Sequence, residues 1–241
     1  MFRTPTDDPA ANESFYENEY VQGSAMDLPS DADLAKLIQA NFAGTWMDYA
    51  YYISVLKQIG LQPGAKVFDY GCSWGYGSYQ LAKAGFEVAA FEVAPSRRGY
   101  AHEKLGVKTL ASMDEAVRLY PGQFDCFFSA HVIEHVPSPA QSFSYAMQLL
   151  KMNGLFVSFT PNGCQEHKAE SPNWSKLWGE VHPNLIDDIF LDRSFKRSPR
   201  VAGSSPIVNA QIGDGLKMKR LNGLDDFELF FAARKAGDSW D

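Results

Sequence analysis

A glycine-rich segment between two acidic residues gives the clearest indication of chemistry in this sequence. Asp69 lies in a β-branched and aromatic run at 66–70, Gly71 and Gly75 follow it, and Glu92 ends the next apolar run. Glycine permits a positive φ and lets a ligand approach the backbone where a Cβ would collide. A carboxylate at the end of a neighbouring strand can accept both hydroxyl protons of a ribose. Together these residues predict a site for a nucleoside-containing cofactor.

The spacing of the glycines bears on which cofactor this is. A pyrophosphate site has the pattern G-x-G-x-x-G at the N-terminus of a helix. Here the glycines are Gly71, Gly75 and Gly77, with Ser73 between the first two. The spacing therefore disfavours a dinucleotide. A nucleotide-dependent oxidoreductase and a non-catalytic cofactor-binding protein stay open as alternatives.

The elements around these residues alternate between strand-like and helix-like patterns. We predict strands at 66–70, 87–92, 107–110, 124–129 and 155–160, with helices at 75–84, 96–105, 112–119 and 139–151 between them. Two more helices are predicted before the first strand, at 31–41 and 45–59. Alternation of this kind predicts an α/β protein with a parallel sheet, whose ligands bind at the carboxyl ends of the strands.

The segment Asp69-Tyr-Gly-Cys-Ser-Trp-Gly75 resembles motif I of the class I S-adenosylmethionine-dependent methyltransferases, D/E-x-G-x-G-x-G. Ser73 replaces the middle glycine. Three further landmarks of that family follow in order: Glu92, the segment 124–136 and the segment 149–155. The resemblance covers roughly residues 60 to 162.

This resemblance implies a Rossmann-like, doubly wound, seven-stranded and mostly parallel sheet that closes with an antiparallel hairpin, roughly 208–213 and 226–234. We expect residues 1–60 to form an N-terminal extension and helices on the substrate side, with 13–20 as a candidate lid. We expect residues 61–241 to form the cofactor-binding core, with an insertion at about 164–205.

The resemblance also implies which residues contact S-adenosylmethionine. These are Asp69, Gly71, Gly75, Glu92, Ser112, Met113 and His131. In such enzymes backbone amides after the third strand contact the adenine edge and an apolar side chain stacks on the ring, which are the positions of Ser112 and Met113. His131 follows the fourth strand, beside the sulfonium and the methionine portion.

Two histidines are candidates for a catalytic base. His135 lies in the segment after the fourth strand and His182 lies in the predicted insertion. An imidazole with an unperturbed pKa of about 6.5 can take a substrate proton near neutral pH. His131 and His135 are four residues apart, but Glu134 directly precedes the second histidine instead of following the first, unlike the zinc motif H-E-x-x-H. The sequence therefore predicts no metal site.

The reaction implied is methyl transfer to a small-molecule acceptor, with a hydroxyl of a sugar or a secondary metabolite as the candidate. The net charge of −7 and the absence of a long Lys/Arg run disfavour nucleic-acid binding. No apolar run approaches the ~18 residues of a membrane helix, and residues 1–8 lack an apolar leader. We expect a cytoplasmic protein without a membrane partner, and the sequence does not predict its oligomeric state.

Overall fold

The computed structural model describes residues 1, 2, 8, 11, 14, 15, 28–179 and 182–240. Most of the lid expected at 13–20 lies outside these residues. None of the helices within the described part of the chain is long and apolar enough to cross a membrane.

Helices and strands alternate through the middle of the chain as the sequence predicts. The helices are α1 (Asp31–Gln39), α2 (Ala50–Gln58), α3 (Tyr76–Lys83), α4 (Pro95–Leu105), α5 (Met113–Leu119), α6 (Pro139–Leu149), α7 (Gln165–Glu170) and α8 (Asp188–Ser194), with a 3-10 turn at Trp174–Leu177. The strands are β1 (Lys66–Tyr70), β2 (Glu87–Phe91), β3 (Thr109–Leu110), β4 (Phe124–Ala130), β5 (Leu150–Pro161), β6 (Arg200–Ser204), β7 (Met218–Arg220) and β8 (Glu228–Arg234).

One mixed sheet runs through the molecule in the order β3-β2-β1-β4-β5-β8-β6-β7. Strands β1 to β5 pair in parallel, whereas β8 is antiparallel to both β5 and β6. The order reverses between β1 and β4, and the crevice outside such a switch point is where open α/β sheets bind ligands. The predicted fold class is confirmed, with eight strands in the described residues where the sequence predicted seven.

The antiparallel part of the sheet differs from the prediction at one strand. The segment 208–213 contains no strand, and β6 (Arg200–Ser204) pairs with β8 instead. Val201 and Ala202 are fully buried between their neighbours, whereas Val208 is 70% exposed and Asn209 has a φ of 61°. An exposed segment with a left-handed residue cannot provide the inner strand of a sheet.

Alternating side chains along the strands bury both faces of the sheet. Phe127 and Phe156 stack on one face, where α6 and α8 also pack. Phe128 and Phe159 lie on the other face against α2, which contributes Val55. This period of two gives each strand two apolar faces, as expected for a sheet covered by helices on both sides.

Candidate functional site

A cavity of about 660 Å³ opens at the carboxyl ends of β1, β2 and β4. Seven of the nine predicted site residues line it: Gly71, Glu92, Ser112, Met113, His131, His135 and His182. Asp69 and Gly75 do not. Its volume and mixed lining are those of a typical small-ligand site.

The turn after β1 forms the cavity wall with its backbone. Gly71 has a φ of 82°, and a Cβ built on it would lie 2.5 Å from Cγ2 of Val132. Ser73 has a φ of 52°, so it takes the left-handed conformation that glycine usually supplies. The departure from the glycine motif therefore preserves the turn. The Ser73 hydroxyl is buried and has no hydrogen-bond partner in the described residues, which leaves it for a ligand.

Gly75 and Gly77 serve the packing of α3. Gly75 caps the helix with a φ of 88°, and its Cβ would lie 2.9 Å from Cβ of Ala101 on α4. A Cβ on Gly77 would overlap the ring of Tyr49. The two glycines let α3 approach its neighbours, which sets the position of the cofactor turn.

Asp69 lies behind the turn and is 2% exposed. The Ser78 hydroxyl donates a hydrogen bond of 2.5 Å to its carboxylate. Burial raises the pKa of Asp69 to about 6, outweighing the hydrogen bond from Ser78, and the charge of Glu92 acts in the same direction. Asp69 thus organises the turn from inside and carries a charge that is costly to bury.

Glu92 directly follows β2, has its carboxylate at the cavity wall and is 6% exposed. Oε2 accepts from the amide of Ser73 and Oε1 from the amide of Ala94, both at 2.9 Å. Burial raises the pKa of Glu92, against the hydrogen bond from Ala94 and the charge of Arg97. Each oxygen keeps a further lone pair, so the carboxylate can still accept two ligand hydroxyl groups. These residues fit the ribose of S-adenosylmethionine.

The segment after β3 provides a second part of this wall. Ser112 caps α5 by accepting from the amide of Glu115 at 3.2 Å, and Met113 is buried at the cavity edge. Asp114 also lines the cavity and was not predicted. Asp114 directly follows the two predicted residues, so an acidic residue at this position is the sequence signal that could have identified it.

His131 belongs to a charged network that the sequence did not predict. Its Nε2 lies 2.8 Å from Oε1 of Glu228 and its Nδ1 lies 3.4 Å from Oε1 of Glu134. The Tyr52 hydroxyl donates to Glu228 at 2.7 Å. Burial opposes the imidazolium, but the hydrogen bonds and charges of Glu134 and Glu228 outweigh it and raise the pKa of His131 to about 10.

The two histidines that the sequence offered as separate candidates lie side by side. The ring centroids of His135 and His182 are 4.5 Å apart in a T-shaped arrangement. Both rings line the cavity. Glu134 is 1% exposed, and its Oε1 lies 4.0 Å from Nε2 of His135.

The strand order, the glycine turn after β1 and the buried carboxylate of Glu92 after β2 define a Rossmann-like fold of the nucleoside-binding kind. Residues 68–158 match a family model described as a methyltransferase domain. A ubiquinone biosynthesis O-methyltransferase of Xanthomonas campestris pv. campestris is 33% identical over 110 residues, covering 40% of this chain and 43% of the relative. Its counterpart in Xylella fastidiosa is 34% identical over 114 residues, covering 44% and 45%. The chain spans less than half the length of these relatives.

Solved structures share the fold. Geranyl diphosphate C-methyltransferase from Streptomyces coelicolor A3(2), solved with Mg²⁺, geranyl diphosphate and S-adenosyl-L-homocysteine, aligns with a TM-score of 0.60 at 13% identity, covering 94% of this chain and 98% of that one. A possible histamine N-methyltransferase from Thermotoga maritima aligns with a TM-score of 0.53 at 15% identity, covering 85% and 95%. Over residues 68–158 the chain is therefore similar to the S-adenosylmethionine-dependent methyltransferases, whose class I fold it shares.

Proposed function

We propose that this protein transfers the methyl group of S-adenosylmethionine to an oxygen atom of a small hydroxylated acceptor. One observation carries the proposal: a single cavity joins the Glu92 wall to the His135–His182 pair. The first end suits a nucleoside and the second suits a hydroxyl group.

The Glu92 end holds the cofactor in this proposal. Glu92 accepts hydrogen bonds from the ribose hydroxyls, and Met113 packs on the adenine ring. Asp114 accepts a hydrogen bond from the adenine amino group. Gly71 leaves room along the turn, while Asp69 fixes the turn through Ser78. When bound, S-adenosylmethionine supplies an activated methyl group on a positively charged sulfur.

The histidine end receives the acceptor. A hydroxyl acceptor must lose its proton as the new carbon–oxygen bond forms, and His135 and His182 present imidazole nitrogens at that wall. The relatives are named O-methyltransferases, which supports oxygen as the attacked atom. Alignment of donor and acceptor contributes up to ~7–11 kcal/mol in well-oriented reactions, so positioning is the main task of the chain.

The acceptor is an uncharged hydroxylated ring, a sugar or a phenolic metabolite. Aromatic side chains, among them Trp46, Tyr52 and Tyr145, line the cavity, and such rings pack on flat faces. The described lining residues include no lysine and a single arginine, Arg97, whose charge acts on Glu92. This composition disfavours a phosphorylated acceptor.

Two segments outside the family match select the acceptor. Trp46 and Tyr52 come from residues 1–60 and His182 comes from the segment 164–205, and all three line the cavity. We therefore propose the N-terminal helices and the insertion as the substrate side of the protein.

A transfer assay with methyl-labelled S-adenosylmethionine tests the proposal on neutral sugars, phenols, amines and phosphorylated sugars. We expect label only on neutral hydroxylated rings. His135→Ala and His182→Ala should lower kcat by about 10²-fold or more while cofactor affinity stays constant. The matched control is His102→Ala, an exposed histidine on α4. Preferential labelling of an amine, or full activity in both cavity variants, would refute the assignment.

A further inference from the structure

Three potential metal ligands meet at the histidine end of the cavity. One ligand atom from each of Glu134, His135 and His182 lies within 4.8 Å of the other two. The sequence analysis considered only the pair His131 and His135. It predicted no metal site there, because Glu134 does not occupy the position that the zinc motif requires. The fold instead turns His131 toward Glu228 at 2.8 Å and brings His182 from the insertion to His135.

The orientation of His182 is set by a backbone carbonyl. Its Nδ1 lies 3.0 Å from the carbonyl oxygen of Leu177. Because a carbonyl only accepts, Nδ1 carries the proton, and Nε2 keeps its lone pair. Metal-binding histidines usually donate a hydrogen bond from the ring nitrogen that does not bind the metal, because this bond fixes the tautomer and the orientation of the ring.

Glu134 supplies a buried carboxylate oxygen that calls for a positive charge. Its Oε2 accepts from the Thr160 hydroxyl at 3.0 Å. Its Oε1 is buried, with Nε2 of His135 4.0 Å away. The Nδ1 of His131 lies 3.4 Å away, but that imidazole also serves Glu228. Glu134 thus shares the His131 imidazole with Glu228, and a further positive charge beside a buried carboxylate oxygen stabilises it.

We propose that Glu134, His135 and His182 bind one divalent transition-metal ion, with Zn²⁺ as the best match. Two imidazole nitrogens and one carboxylate oxygen form the ligand set of catalytic zinc sites, which keep a fourth position open. Nitrogen ligands disfavour Mg²⁺, which prefers oxygen. Zinc–ligand distances of about 2.0–2.2 Å require the three atoms to draw together by roughly 1 Å on binding.

The open position faces the cavity, since both histidine rings line it. The role of the ion rests on the proposed function: it would hold the acceptor hydroxyl and lower its pKa. The proton then leaves to solvent, the oxygen forms its bond to the methyl carbon, and the electron pair of the carbon–sulfur bond stays on sulfur. In this refinement of the proposed function the two imidazoles would hold the ion, and the ion would take over the activation of the hydroxyl from the free imidazoles.

Metal binding is measured without S-adenosylmethionine. Chelator-treated protein is titrated with Zn²⁺ by calorimetry and with Co²⁺ by its visible d–d absorption, in the native chain and in His135→Ala, His182→Ala and the control His102→Ala. We expect one ion per chain. Since loss of a mere outer-shell partner costs about 10–100-fold in metal affinity, loss of either ligand should cost at least about 100-fold. Circular dichroism checks that each variant is folded.

Absence of stoichiometric Zn²⁺ uptake by the native chain would overturn the inference. Uptake that is equal in the native chain, His135→Ala and His182→Ala would also overturn it, because the ion would then lie elsewhere. Failure of the proposed function gives a different result. The metal would bind with the expected dependence on both histidines, while the zinc-loaded protein would transfer no methyl group to any hydroxylated ring.

Discussion

Replacing Asp69 with asparagine should change how the stability of the protein depends on pH. The folded protein holds the pKa of this carboxyl at about 6, against 3.8 for the free side chain. A raised carboxyl pKa means that the folded state binds the proton more tightly than the unfolded state. The contribution is therefore fully present below pH 3.8 and is lost as the pH rises through 6. A rise of this size corresponds to about 3 kcal/mol.

Asparagine keeps a carbonyl oxygen for the Ser78 hydroxyl and removes the ionisation. The free energy of unfolding of Asp69→Asn, relative to the native chain, should therefore increase by about 2.5 kcal/mol between pH 4 and pH 8, because part of the full effect is already present at pH 4. Urea unfolding at several pH values measures this difference. The comparison uses only the change of this free-energy difference with pH, because the asparagine amide also alters stability by an amount that does not depend on pH.

Asp125 provides a matched control with the opposite sign. Burial opposes its ionisation, but the Lys151 ammonium and the Lys66 amide outweigh burial and lower the pKa of Asp125. Its stabilising effect is present above pH 3.8 and is lost as the pH falls, so Asp125→Asn should show a flat difference from pH 5 to 8. If the stability difference for Asp69→Asn is also independent of pH, the claim that ionised Asp69 destabilises the folded state is refuted.

Two further predictions concern the turn and the charged network. Gly71→Ala places its Cβ against Val132 on the cavity wall and should weaken S-adenosylmethionine binding, measured by calorimetry. Gly75→Ala directs its Cβ at Ala101 and should lower stability by about 1–2 kcal/mol or more in urea, with a smaller loss of cofactor affinity than Gly71→Ala; equal loss of affinity in both variants would contradict this division. Tyr52→Phe removes a hydrogen bond to a carboxylate and should cost about 1.5–3 kcal/mol in thermal or urea unfolding, and an unchanged stability would show that the network does not hold α2 to β8.

The sequence predicts those parts of the fold that short-range patterns determine. The strand at 66–70 is found at Lys66–Tyr70, because an apolar run of that length next to a glycine turn has few alternatives. Glu92 follows from the same local logic, since the end of one buried run places it opposite the turn. Even Ser73 keeps the turn, because a single polar residue can take the left-handed conformation.

The remaining features depend on contacts between distant residues. The partner of β8 was misplaced because several short segments between 200 and 213 have similar propensity, and only burial against β8 decides among them. Likewise, no local signal shows that His182 reaches His135 or that Glu228 reaches His131. Each pair joins segments that the sheet topology alone brings together.

The central claim is that the cavity binds S-adenosylmethionine through Glu92. Calorimetric titration of S-adenosylmethionine and S-adenosylhomocysteine into the native chain, Glu92→Gln and Glu87→Gln tests it most directly, because Glu87 is an exposed carboxylate at the other end of β2. One lost hydrogen bond to a charged group costs about 1.5–3 kcal/mol, so Glu92→Gln should bind at least about tenfold more weakly, while Glu87→Gln should match the native chain. Absence of saturable binding to the native chain at millimolar ligand, or equal affinity in all three proteins, would contradict the account.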